Sequence, residues 1–281
     1  MTPDPHPDTP TVPPAVRRTY GALDLSSQPS FAGGFINFGH WAGIDLDRPL
    51  TVPDRIRSQE NLYRRVLDAA HPTAGAETLE IGCGLGLGCA LAVTDYGVAR
   101  ATGLDIHPDQ LERAHQATGD TRAAHPGALR LTLGAAERVP FPQASFDRVV
   151  SVEAVQHFTD LDAFARESAR VLRPGGRLVL AGFLTPDEDP AHPGALAELL
   201  ASYADGLDIA RPVQALDRAL REAGLTGPRV ESVGAEVWPG FDRWLADLWK
   251  PGSWPRNFLR AHREGHLDYY LVTADKPATR P

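Results

Sequence analysis

Four glycines at alternate positions, Gly82, Gly84, Gly86 and Gly88, follow a short apolar run that carries Glu80. The run, residues 78–81, reads as a buried strand, and the apolar, alanine-rich stretch 87–93 as the start of a helix. Strand, glycine turn and helix together aim backbone N–H groups and a helix N-terminus at a ligand. Glycines let that ligand reach the backbone without meeting a side chain. Asp105 ends what reads as a second strand, residues 100–105. Farther along, Glu153 ends a fourth strand read over 145–153, and Gln156 and His157 follow it. In an open parallel sheet, reactions take place outside the carboxyl ends of the strands, so these side chains stand where chemistry would occur. His157 is the natural general base, because an unperturbed imidazole titrates near about pH 6.5. Glu153 is the alternative, if burial raises its pKa.

The spacing separates two classes of ligand. A dinucleotide turn requires G-x-G-x-x-G. Counted from Gly82 the last place falls on Leu87, and counted from Gly84 it falls on Cys89. What remains is acidic-x-Gly-x-Gly-x-Gly, with Glu80 as the acid. A carboxylate there suits a positively charged ligand better than a pyrophosphate. S-adenosylmethionine (SAM), with a sulfonium and an ammonium group against one carboxylate, has that charge. Asp105 lies about 20 residues beyond the turn, where ribose hydroxyls are held. Cys83 would meet such a cofactor through its backbone. The plain alternative is a glycine-rich turn that binds nothing.

A third strand over 128–133 leads into Gly134-Ala-Ala-Glu137, and Arg173-Pro-Gly-Gly176 turns into a fifth strand that runs to Ala181. With these five motifs in order, residues 77–183 resemble the class I SAM-dependent methyltransferases, most closely those acting on small molecules of secondary and lipid metabolism. The resemblance implies an α/β fold: a Rossmann-like, doubly wound, mostly parallel seven-stranded sheet whose last strand is antiparallel, with helical lid elements. It places Ile106 and Gln110 near the adenine. Relatives usually carry Asp after the glycine of the 134–137 motif; Ala135 stands there, which leaves the N–H of Ala136, beside Glu137, to meet the ring. The helix read over 55–70 packs along the cofactor cleft in relatives, so Gln59 is assigned to the methionine end. Phe31-Ala-Gly-Gly-Phe-Ile-Asn-Phe-Gly-His-Trp41 resembles the Asn-x-Gly-Tyr-Trp stretch that lies over the cleft, with His40 in place of Tyr.

The chain has 281 residues, 42% hydrophobic, enough for one α/β domain with attachments. Residues 1–18 read as a disordered tail, 19–75 as a cap over the cleft and 76–183 as the cofactor-binding core. Residues 184–227 read as lid and crossover helices, over 195–204 and 213–223. The segment 228–281 reads as the last two strands, over 228–236 and 267–273, with an aromatic helical insertion between them. Trp238, Phe241, Trp244, Trp249 and Trp254 of that insertion either wall an apolar acceptor pocket or pack against the lid. A formal net charge of −8 without a basic stripe disfavours nucleic acid. No signal peptide or membrane span is read. The two cysteines, Cys83 and Cys89, read as free, small, semi-buried thiols suited to a reducing cytoplasm. No metal-ligand spacing is seen.

The expected activity is methyl transfer from SAM to O, N or C of a small apolar or aromatic metabolite, by an enzyme free to form homo-oligomers. The rivals are carbon methylation of an isoprenoid or polyketide, a SAM-binding cyclase that does not methylate, and a nicotinamide oxidoreductase, which the glycine spacing opposes.

Overall fold

The computed structural model describes residues 10–21 and 24–278. The expected tail, 1–18, lies outside the described residues for 1–9. Its last part departs from expectation: helix α1, Pro14–Tyr20, buries Ala15 and Val16. Those two apolar side chains give the segment a face to bury, which the polar stretch before it lacks.

A long strap then leads to α2, Val52–Ala70, which starts with a capping box between Thr51 and Asp54 and ends at His71 in the left-handed region. The core alternates: β1 Glu77–Ile81, α3 Leu87–Thr94, β2 Arg100–Asp105, α4 Pro108–Ala117, α5 Gly119–Ala124, β3 Leu129–Leu133, β4 Phe146–Val152, α6 Leu161–Val171 and β5 Leu172–Leu184. Asp160 caps α6, its carboxylate accepting from the N–H of Ala163. The lid follows as α7 His192–Leu199, α8 Ala201–Ala204 and α9 Val213–Glu222, and the chain closes with β6 Thr226–Ser232, α10 Gly234–Leu245, α11 Asn257–Arg263 and β7 Asp268–Asp275.

The seven strands are ordered β3-β2-β1-β4-β5-β7-β6. β7 alone runs antiparallel to its neighbours, β5 and β6. The order reverses between β1 and β4, which pair in parallel from Thr78 against Arg148 to Glu80 against Val150. Such a switch point opens a crevice at the carboxyl ends of the two strands. Leu79, Ile81, Val149, Leu178 and Leu180 are almost wholly buried on one side of the sheet, against α6 and α9.

Three boundaries differ from the sequence reading. The residues expected to continue the sixth strand, Gly234 to Glu236, open α10 instead. A side chain at Gly234 would stand 2.0 Å from the Asp268 carboxylate, so the chain turns tightly there. The expected lid helix over 195–204 is two helices, broken at Leu200, whose backbone is extended. Arg173-Pro-Gly-Gly176 is an excursion within β5: Phe146 pairs with Leu172, and Arg148 already with Arg177.

The aromatic insertion supplies core. Trp238, Phe241 and Trp244 are buried with Phe38, Phe183 and Phe258. The rings of Trp238 and Phe258 stack 5.3 Å apart. Gly240 admits Trp41 of the strap, since a Cβ there would lie 2.1 Å from the indole. Trp249 and Trp254 are exposed. None of the five walls the cavity described below, and of the two alternatives read for them the buried three take the second, packing with Leu196, Leu199 and Tyr203 of the lid.

Candidate active site

A cavity of about 250 Å³ lies at the switch point. On one side stand the ends of β1, β2 and β3 with their following turns: Gly82, Cys83, Gly84, Asp105, Ile106, Gln110, Ala136 and Glu137 all line it. The other side combines α1, the strap and the loop after β4, through Val16, Tyr20, Phe35, Ile36, Glu153 and His157.

The glycine turn works differently from the simple expectation. The N–H groups of Gly82 and Cys83 both donate to the Leu104 carbonyl, at 2.8 and 3.0 Å. That of Gly84 donates to Asp105 Oδ2 at 2.9 Å. These donors hold β1 to β2, and what the turn offers the cavity is room. A Cβ at Gly84, where φ is +50°, would meet nothing within 4 Å, whereas one at Gly82 would stand 2.4 Å from the Cβ of Ala154. Cys83 turns its thiol inward, toward Gly103. Both cysteines are free and buried.

Asp105 is held rigidly, its other oxygen accepting from the His107 N–H at 2.8 Å. Burial pushes its carboxyl up to about 6, against the pull of those N–H groups. Glu137 Oε1 accepts from the N–H and hydroxyl of Thr159, at 2.8 and 2.9 Å, tying the turn after β3 to the loop after β4. Ile106 gives an apolar face, and Gln110 is almost fully buried beside it.

Two sequence-assigned residues stand elsewhere. Glu80 is buried behind the glycine turn, 3.1 Å from the Cys89 thiol, and is absent from the cavity wall. The side chains of a parallel strand alternate between faces, and Glu80 points to the face covered by Tyr63 and α3. Burial raises its carboxyl to about 7. Gln59 is fully buried and donates to the Phe35 carbonyl, so it fixes the strap and does not reach the cavity. His40 is likewise outside the wall, while Gly34, Phe35 and Ile36 of the strap lie in it.

His157 is positioned by two segments far from it in sequence. Its Nδ1 lies 3.0 Å from the Leu207 carbonyl and 3.2 Å from Asp208 Oδ1, both on the loop after α8. A carbonyl only accepts, so Nδ1 carries the proton and Nε2 keeps its lone pair. Nε2 faces the Tyr20 hydroxyl of α1 at 3.0 Å. Burial pushes the imidazole toward neutrality, yet the adjacent Asp208 outweighs it and the pKa is raised. Burial, with Asp208 and Glu153 nearby, drives the Tyr20 phenol upward, so it stays a neutral donor.

Glu153 occupies a strained backbone, φ +50°, pinned by its N–H to the Ala181 carbonyl. Its Oε1 accepts from the Phe38 N–H at 2.7 Å and the Tyr269 hydroxyl at 2.9 Å. The sequence reading missed Tyr20, Asp208 and Tyr269, which carry no local spacing signal.

The methyltransferase domain family matches residues 79–180. The methyltransferase GfsG of Streptomyces halstedii is 30% identical over 264 residues, covering 86% of this chain and 87% of that protein. The chain belongs to the class I SAM-dependent methyltransferases. A fatty-acid O-methyltransferase of Mycolicibacterium smegmatis is 28% identical, over 87% of this methyltransferase and 84% of that one. In fold, the geranyl diphosphate C-methyltransferase of Streptomyces coelicolor A3(2) superposes with a TM-score of 0.77 at 16% identity, across 94% of this chain and 98% of that one. The methyltransferase uses SAM, and the wall suits it. The wall presents an open face at Gly84, the apolar Ile106 and the acidic Asp105, and no Lys or Arg is among its described residues. Among the described residues, no helix is long and apolar enough to cross a membrane.

Proposed function

We propose that this methyltransferase acts on a hydroxyl oxygen of an uncharged small metabolite, with His157 as general base. The observation that carries the reading is the His157 ring itself. Its Nδ1 proton is committed to the Leu207 carbonyl, with Asp208 Oδ1 at 3.2 Å, which leaves the Nε2 lone pair of this cavity-lining ring on the side of the Tyr20 hydroxyl. The Tyr20 hydroxyl already sits at hydrogen-bonding distance from that lone pair, in the place an acceptor hydroxyl would take.

SAM supplies a methyl already activated by its sulfonium. The protein's part is to hold the acceptor oxygen in line with that methyl and to remove its proton. The proton passes to Nε2, and Asp208 steadies the imidazolium that results. Phe35, Ile36, Val16 and Phe158 give the acceptor an apolar lodging. The wall's lack of Lys and Arg among its described residues disfavours phosphorylated or carboxylate acceptors, which need cationic partners when buried. Asp105 holds the ribose hydroxyls, and Ile106, Gln110 and the N–H of Ala136 frame the adenine.

The test is a panel of neutral alcohols and phenols with SAM, followed by the release of demethylated cofactor. Turnover of hydroxyl acceptors, lost in His157→Ala with SAM binding intact by calorimetry, is the expected result. Turnover only of amines or carbon acceptors, or a His157→Ala variant as fast as the parent, would overturn the reading.

A further inference from the structure

The mechanism above leaves one buried acid in the cavity wall without a task. Glu153 is four residues from His157, across a single turn of the chain at Val155–His157, and both side chains line the same cavity. Its conformation is one that residues with a Cβ seldom adopt, and such strain persists where the surroundings impose it, most often at functional sites.

The hydrogen bonds around Glu153 are one-sided. Two donors, the Phe38 N–H and the Tyr269 hydroxyl, converge on Oε1. Among the described residues no cation is seen in a hydrogen bond or ion pair with the group. Arg55 of α2 acts on it only through its field, is itself buried and spends its donors on the carbonyls of Ser30 and Asn37 and on the Ser58 hydroxyl. Its guanidinium sits 5.7 Å from the Trp41 ring and 5.4 Å from that of Phe241. The other ionisable groups around Glu153 are Asp208 from the lid loop, Tyr269 from β7, and Tyr20 and His157 across the cavity. A carboxyl enclosed in this way, with an acid nearby and no ion pair, holds its proton. Burial accordingly pushes Glu153 up to about 8. With Oε1 accepting twice, the proton belongs on Oε2, the oxygen left to the cavity.

We infer that Glu153 is a specificity-determining contact whose carboxyl O–H donates to a second oxygen of the acceptor, adjacent to the hydroxyl that His157 deprotonates. The inference rests on the proposed hydroxyl acceptor and narrows it. The favoured class is a hydroxyl flanked by a carbonyl, ether or second hydroxyl oxygen, as in a catechol, a β-hydroxy ester or a vicinal diol. A neutral acid discriminates for a lone pair and against an isolated alcohol, because a buried donor left without a partner is costly.

The experiment has two arms. In the first, infrared difference spectra of the full-length protein, wild type minus Glu153→Gln, are recorded against pH without any acceptor. A protonated-carboxyl C=O band present at pH 7 and lost as pH rises through about 8 is expected. An ionised carboxylate at pH 7 would overturn the inference whatever the substrate. In the second, paired probes are compared with SAM: catechol against phenol, and methyl 3-hydroxydecanoate against 2-decanol. Glu153→Leu should raise KM about tenfold for the oxygen-flanked member of each pair, the scale of one lost hydrogen bond, and leave the pair less distinguished. Glu153→Gln, which keeps a donor, should recover most of that loss. An equal effect on both members of a pair would overturn it. His157→Ala separates the two readings: retained turnover there removes the base, while a protonated Glu153 in the first arm stands independently.

Discussion

The two walls of the cavity are built on opposite plans. The proposed cofactor wall is contiguous and made mostly of backbone: within β1 to β3, consecutive turns bring Gly82, Gly84, Asp105 and Ala136 together, and the N–H groups of Gly82 and Gly84 brace the turn against the Leu104 carbonyl and the Asp105 carboxylate. The proposed acceptor wall is made of side chains drawn from α1, the strap and the loop after β4, held from behind by the loop after α8 and by β7. A wall of braced backbone accepts one ligand shape whatever the neighbouring side chains are. A wall of converging side chains can be re-specified one residue at a time. The first plan suits a cofactor shared by many enzymes, the second an acceptor that differs among them.

The comparison breaks most sharply at His157. Replacing it by Ala should lower kcat by about 10²–10⁴, the usual contribution of a positioned base, with the SAM dissociation constant changed by less than the precision of a calorimetric titration. A parallel loss of SAM binding would show that the walls are not separable. The converse is Gly82→Ala. Its φ of +76° and the 2.4 Å approach of Ala154 would force both a left-handed alanine and a displaced neighbour. Together these cost about 2–4 kcal/mol, read as weaker SAM binding and a lower Tm in the same titration series.

A smaller effect sharpens the account of Glu80, which backs the cofactor wall without facing it. Its folded pKa of about 7 exceeds the ordinary glutamate value, so the folded chain holds this proton more tightly than the unfolded one. The stabilisation is complete below about pH 4 and is lost as pH rises through 7; between pH 5 and 7 the loss is about 2 kcal/mol. Glu80→Gln should therefore flatten the fall of Tm over that range, with SAM affinity near that of the parent. A large drop in affinity would return Glu80 to the binding site, where its place in the acidic-glycine motif suggests it belongs.

How far the sequence could be read follows the same division. The succession of strands along the chain, the glycine turn and Asp105 at the end of β2 were all legible, because each depends on neighbours within a few residues. Glu153 and His157 were legible as the residues after β4. Their partners were not: Tyr20 stands 137 positions from His157, and Tyr269 stands 116 from Glu153. Nothing local marks them. Gln59 and Glu80 misled for a related reason. Each sits at the right point along the chain, and only the facing of its helix or strand decides whether it meets the cavity or the core. The tryptophans of α10 left two readings open because a large aromatic surface is equally suited to a pocket and to a core, and packing is what the structure has, with Gly240, whose missing side chain lets Trp41 in.

The finest test concerns Asp208, which touches His157 but not the acceptor. Its side chain is nearly buried, 3.2 Å from Nδ1, and it raises the imidazole pKa against the effect of burial. Asp208→Asn keeps the size and removes the charge. The His157 pKa should then fall, so the neutral, basic form persists to lower pH and the acidic limb of the kcat profile moves downward. The same change makes Nε2 a weaker base and leaves the imidazolium unsteadied, so the plateau should drop by about tenfold, the equivalent of 1.4 kcal/mol. Both shifts are required together. A lower plateau with an unmoved limb would mean that Asp208 only shapes the lid loop, and that the acceptor wall owes its base to the Leu207 carbonyl alone.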